Sequence, residues 1–170
     1  IGGPYSLVLS DDMSNVEPLK KAFPTSMVQT FTKPTVWSST SSIYNRPFDL
    51  IYCGTTLQST KNHQCFIQIL KHIDIYTDSK LNVVIAGNKK DSPIFSSLFT
   101  YPFSNINLFD EGEVTRGQLQ NLFSRSKTCI VTSGRDANPR IIQESLVHGA
   151  RVLAIDTLSD GLEFLSSNPL

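Results

Sequence analysis

Seven short apolar runs, separated by segments of helical spacing, constrain this chain more than any other feature in it. The runs are residues 6–9, 27–31, 50–53, 81–86, 106–109, 128–132 and 151–155, rich in Val, Ile and Leu and bounded by Gly, Asn, Asp or Ser. Continuous apolar runs of this length read as strands buried on both faces. Between them, Cys65, Ile69 and Ile73 recur at helical spacing, as do Leu119, Leu122 and Phe123, so each set lines one helix face. Strand alternating with helix predicts right-handed crossovers and an α/β fold, a mostly parallel sheet with helices on both faces. Residues 24–47 interrupt the rhythm, with 32–42 rich in Ser and Thr, and read as a long connection between a first βα unit and the main repeat.

The 170 residues are 39% hydrophobic, enough for a single domain with its own core. Fifteen basic residues balance fifteen acidic ones, with no block of like charge. A protein that lives on nucleic-acid phosphates or anionic lipid shows a basic excess or stripe, so no nucleic-acid partner is expected. The longest wholly apolar stretches are a few residues, such as 83–86, against the roughly 20 a membrane helix needs. No transmembrane segment is expected. Cys53, Cys65 and Cys129 have no CxxC spacing and read as buried thiols of a reducing compartment, which places the protein in the cytoplasm. His63, His72 and His148 lack HxxxH or HxH spacing, so no metal site is expected. No signal pattern follows Ile1, and the chain reads as a piece of a longer polypeptide.

In an open sheet of this kind ligands bind beyond the carboxyl ends of the strands, where loops and helix amino termini converge. The loops to inspect are therefore 10–14, 54–61, 87–92, 110–115, 133–139 and 156–161. The most informative lies between Thr132 and Gly149. Asn138-Pro139 supplies a helix cap and a first helical residue. Asp136 then sits at the mouth of the loop and Glu144 about a turn and a half inside the helix. A phosphate or sugar at this helix start would meet the N–H groups of Ala137 and Asn138, with a carboxylate on either side.

These residues resemble the carboxy-terminal, donor-binding half of GT-B glycosyltransferases, in particular the large retaining family whose signature is Glu, seven residues, Glu. Ser133, Asp136, Ala137, Pro139, Glu144, Ser145 and Gly149 fall on its pattern, with Asp136 and Glu144 eight positions apart as in the family. The departures are Asp for the first Glu, Ala for Gly and Ser for Ala. The resemblance implies that Glu144 accepts hydrogen bonds from the ribose hydroxyls of a nucleotide, while Asp136 and the amides after it, at Ala137 and Asn138, hold the donor sugar, with Arg135 also a donor-binding residue. A second segment is similar to the family's opening strand and phosphate loop. It keeps Gly54 and Lys61 but has Thr55 in place of Arg and Asn62 in place of the second Gly. Lys61 would act as a point charge on phosphate, and Thr55 can donate one neutral hydrogen bond. Lys89, Lys90 or Arg135 could supply the missing cation. Residues 81–87 resemble the next strand, and 107–133 the strand, loop, helix and strand that lead into the signature. In the family that loop meets the nucleobase, which makes Val114 the candidate base contact. The resemblance runs from about residue 50 to 165.

Read together, these features imply a Rossmann-like domain in which residues 48–170 bind a nucleotide sugar, with 1–47 a poorly matched βα unit or linker of the same compact domain. The implied enzyme is a metal-independent, retaining glycosyltransferase. It would move a sugar from a UDP- or GDP-sugar to a glycan, lipid or protein acceptor, with Asp136 and Lys61 as catalytic groups and no cofactor. The parent chain would add an amino-terminal acceptor domain and any peripheral membrane attachment, and the 170 residues alone would show little turnover. Two other classes compete. Thr55, Asn62 and Asp136 favour a non-catalytic Rossmann-like module with a degenerate donor site. Asp11 and Asp12 after the first strand suggest a phosphate-accepting receiver, which would also need an Asp at the carboxyl end of the strand at residues 48–54, where there is none.

Overall fold

A computed structural model of the chain describes residues 7–10, 16–22, 24–30, 42–54, 59–88, 93–134, 140–156 and 158. Each of the seven apolar runs carries a strand. β1 (Leu7–Ser10), α1 (Val16–Ala22) and β2 (Met27–Thr30) form a βαβ unit whose two strands pair in parallel. The main sheet contains β3 (Phe48–Cys53), β4 (Leu81–Ala86), β5 (Ile106–Gly112), β6 (Ser126–Val131) and β7 (Arg151–Ala154). Its order is β5-β4-β3-β6-β7 and every pair is parallel. The connecting helices are α2 (His63–Tyr76), α3 (Pro93–Thr100), α4 (Arg116–Ser124) and α5 (Arg140–Val147).

Alternation along the central strands sorts the core into two clusters, one on each face. Tyr52, Val83, Ile85 and Ile130 pack with Phe66, Ile67 and Leu70 of α2 and Leu98 of α3. Ile51, Val84, Ala86, Cys129 and Val131 pack with Leu122 and Phe123 of α4 and Ile142 of α5. The fold is thus a parallel Rossmann-like sheet with helices on both faces, as the alternation of runs implied. Not every strand is buried on both faces, however. Phe109 on β5 is 41% exposed and Leu153 on β7 is 60% exposed, because an edge strand has a neighbour on one side only and the helices cover the sheet's centre. The first two strands form a separate two-stranded sheet, in which Met27 is 59% exposed.

The buried stripe of α2 is His63, Phe66, Ile67 and Leu70. Cys65, Ile69 and Ile73 form its half-buried flank, with Ile69 and Ile73 packed on the same cluster. The stacking of Phe66 on Tyr52, 3.8 Å between centroids, sets this rotation. Helix ends follow local chemistry. Asn62, at φ 49°, accepts from the Cys65 N–H to start α2. Thr115 and Gln118 form a reciprocal capping box on α4. Gly149, at φ 73°, ends α5 with Gly149 N–H to Leu146 O and Ala150 N–H to Ser145 O, both 2.9 Å. Buried Arg46 donates to Ser126 O at 2.8 Å, to His148 O at 3.1 Å and to Phe123 O at 3.4 Å, joining the ends of α4 and α5 to the start of β6. Among the described residues no helix is long and apolar enough to cross a membrane.

Candidate functional site

The chain leaves β3 for β4 and β5 on one side, then returns to β6 on the other. The carboxyl ends of β3 and β6 therefore flank a topological switch point, where an open parallel sheet leaves a crevice. A cavity of about 350 Å³ opens at this end of the sheet. Cys53 and Gly54 at the end of β3 line it, with Ala86, Gly87 and Asn88 at the end of β4, Glu113 and Val114 from the loop after β5, and Leu119 of α4. Backbone bonds tie its rim together: Gly54 N–H to Ala86 O at 3.0 Å and Gly87 N–H to Gly112 O at 2.7 Å. The approach is so close that a Cβ on Gly87, at φ 131°, would lie 1.8 Å from Gly54 O. Only glycine fits there.

A short 3-10 turn after β3, Ser59–Lys61, packs against the end of β6. Gly134 N–H donates to Thr60 O at 3.1 Å, and the Thr132 hydroxyl donates to Lys61 O at 2.8 Å. The buried Tyr52 hydroxyl lies 3.2 Å from the same carbonyl and 2.7 Å from His63 Nδ1. Glu144 of α5 is buried, and its Oε1 accepts from Nη2 of Arg116 on α4 at 3.0 Å. The Cys53 thiol registers both Lys61 and Glu144. Burial raises it well above the usual thiol range, Cys129 raises it further, the Lys61 charge pulls it down and the Glu144 charge pushes it up. Lys61 and Glu144 thus both act electrostatically on the end of β3. Among the described residues no group of three or more His, Cys, Asp or Glu could hold a metal ion. His63 and His148 are buried and hydrogen-bonded within the fold, His148 through its Nδ1 to Glu144 O at 2.7 Å.

No protein-family model matches the chain, and no curated protein does. Solved structures do. The lipopolysaccharide outer core galactosyltransferase WaaB, in its apo form, superposes at TM-score 0.63 over 93% of this chain and 45% of its own, with 12% identity. A GtfA/B complex gives TM-score 0.60 over 93% of this chain and 31% of its own, with 10% identity. An alpha-glucosyltransferase in complex with UDP and a 13-mer DNA containing an HMU base gives 0.57 over 89% and 47%, with 13% identity. The chain has the fold of one half of a GT-B glycosyltransferase. It spans less than half the length of each of these neighbours.

Within this fold, Gly54 and Val114 line the cavity, and the charges of Lys61 and Glu144 act on the Cys53 thiol in its wall. Thr55, Arg135, Asp136, Ala137 and Asn138 lie outside the described residues, as do Lys89, Lys90, Asp11 and Asp12. Asp49, the acid of the central strand, sits at its amino end, where it accepts from Lys127 Nζ at 2.7 Å and Asn82 N–H at 2.8 Å. Sequence reasoning missed Arg116, Tyr52 and Thr132. Arg116 does follow the capping Thr115 at the start of α4, a place where a cation faces the loop before it. No spacing rule links it to Glu144, 28 residues away.

Proposed function

We propose that this chain is the donor-binding half of a retaining, metal-independent glycosyltransferase that transfers a sugar from a nucleotide diphosphate sugar to a glycan, lipid or protein acceptor in the cytoplasm. The observation that carries the reading is the cavity at the carboxyl edge of the sheet, with Gly54 and Val114 in its walls and the charges of Lys61 and Glu144 acting on Cys53 in the same wall. In this reading the base enters between Val114 and Leu119, Glu144 accepts from the ribose hydroxyls, and Lys61, with the backbone from Gly54 to Thr55, holds the diphosphate. Arg135, Asp136, Ala137 and Asn138 surround the sugar. When the anomeric carbon–oxygen bond breaks, negative charge develops on the departing diphosphate. A fixed ammonium such as that of Lys61 lowers the barrier by meeting it, with no divalent ion needed. A second, acceptor-binding half of a longer chain completes the cleft. The UDP carried by one of the structural neighbours makes UDP a natural first ligand to test.

The Arg116–Glu144 ion pair gives a second reading its footing. An acid already engaged by arginine suits a binding module that has kept the fold and lost the donor. Calorimetric titration with UDP, GDP and their sugar conjugates decides between them. Saturable binding of one nucleotide, weakened at least about tenfold in Glu144→Ala, corresponding to about 1.4 kcal/mol, supports the donor reading and names the base. A folded sample that binds none of them supports the module.

A further inference from the structure

We infer that Tyr52 and Thr132 are positioning residues for the diphosphate, acting through the main chain of Lys61; this rests on the donor-binding reading above. Two loops close on the switch point, one leaving β3 and one leaving β6. The structure joins them at one place. Thr132 Oγ1 donates to Lys61 O at 2.8 Å, Tyr52 Oη approaches the same oxygen at 3.2 Å, and Gly134 N–H donates to Thr60 O at 3.1 Å. A carbonyl oxygen has two lone pairs, so it can accept from both hydroxyls. Each hydroxyl has one proton, so the direction of the Tyr52–His63 contact follows from the partner to which Tyr52 donates. With Tyr52 donating to Lys61, the short contact to His63 Nδ1 at 2.7 Å is donated by the imidazole N–H.

Tyr52, Thr132 and His63 are buried, and Tyr52 is further fixed by stacking on Phe66. Burial pushes the Tyr52 phenol well up, so it remains a neutral donor at physiological pH. The arrangement holds the backbone of Lys61 in register with the end of β6, and so fixes where its flexible side chain starts. A point charge aimed at a phosphate loses most of its effect when its backbone drifts by an ångström. Tyr52, Thr132 and His63 are not among the residues that line the cavity with Val114.

The test compares UDP or GDP, whichever the wild-type protein binds, with the matching nucleoside, uridine or guanosine. Calorimetry reads the diphosphate and ligand-observed NMR the nucleoside. Tyr52→Phe and Thr132→Val are near-isosteric, and each is expected to weaken diphosphate binding three- to tenfold while nucleoside affinity stays within twofold. Thr132→Ser, which keeps the hydroxyl, is expected to retain diphosphate affinity. In a Lys61→Ala background, Tyr52→Phe is expected to add no further loss, since the hydroxyl acts through that lysine. Unchanged diphosphate affinity in both single variants overturns the inference. So does a parallel loss of diphosphate and nucleoside, which marks a general structural role. If wild-type protein binds neither UDP nor GDP, the donor-binding reading itself fails and the inference falls with it.

Discussion

At the scale of single residues, the site rests on a contact that no side chain makes. Gly87 and Gly54 bring the ends of β4 and β3 within van der Waals range, and this approach forms one wall of the cavity. The two glycines have different reasons to be glycine. A methyl group on Gly87 would meet backbone at 1.8 Å with φ at 131°, whereas one on Gly54 would meet the edge of the His63 ring at 3.0 Å. Backbone cannot yield without opening the sheet, but an imidazole can tilt. Gly87→Ala is therefore expected to cost about 3 kcal/mol or more and Gly54→Ala about 1 kcal/mol, measured by urea denaturation of both variants. Equal losses would show that strand ends, not the ring, limit both positions. The same scale explains what the sequence disclosed of the site. Gly54, Lys61, Val114 and Glu144 were named from the resemblance of their segments to a family pattern, and of these Gly54 and Val114 fall on the cavity wall. Arg116 and Thr132 were not legible, since their partners lie 28 and 71 residues away and leave no periodic trace.

At the scale of elements, legibility depended on burial. β4 was read to the residue, because its run is apolar but for Asn82 and its last four residues are buried on both faces. β5 extends past its apolar run through Asp110 and Glu111 to Gly112, which an edge strand tolerates since those side chains face solvent. β6 starts two residues early, at Ser126 and Lys127, because tertiary partners satisfy these polar groups: Leu122 O and Arg46 for Ser126, Asp49 for Lys127. Arg46 is the least expected of these partners. It lies in the stretch that read as a linker, yet its guanidinium is buried among carbonyl oxygens at the ends of two helices and the start of a strand. Burial lowers its pKa from the usual arginine value. Helix carboxyl ends carry partial negative charge, so a cation there bonds and neutralises at once. Arg46→Met keeps the bulk and removes the donors, leaving buried carbonyls unsatisfied. The expected loss is about 2–4 kcal/mol, read from urea denaturation, with hydrogen exchange accelerating first at the end of α5. A loss below about 0.5 kcal/mol would mean that water replaces the guanidinium freely.

At the scale of the whole molecule, the sheet divides its labour by end and by face. Its carboxyl end carries the cavity, with Cys53 in the wall, while Tyr52 and Cys129 are buried further in; all three could ionise and are held neutral. Tyr52 and Cys53 on β3 and Cys129 on β6 are all shifted upward, in each case mainly by burial, and Cys129 is pushed up to about 12 from 9.0. The sign of the consequence is the same for all three. The folded protein holds these protons more tightly than the unfolded chain, so their neutral forms favour folding below the unfolded pKa. That advantage shrinks as pH climbs from the unfolded value toward the folded one. For Cys129 the window opens near pH 9 and closes near 12. Stability is therefore expected to be level in this respect from pH 7 to about 8.5 and to fall above it, by at most about 1.4 kcal/mol per pH unit for each titrating group. Lysine deprotonation acts in the same range, so the informative quantity is the difference between two proteins. Cys129→Ala loses stability at pH 7 through lost packing but should show a shallower fall between pH 9 and 10.5. Urea midpoints at half-unit pH intervals measure both. Parallel curves would mean that the Cys129 thiol titrates in the native protein as it does in the unfolded chain, and that the centre of the sheet admits water. A shallower curve would locate part of the alkaline limit of this fold in the same pair of strands whose ends form the candidate site.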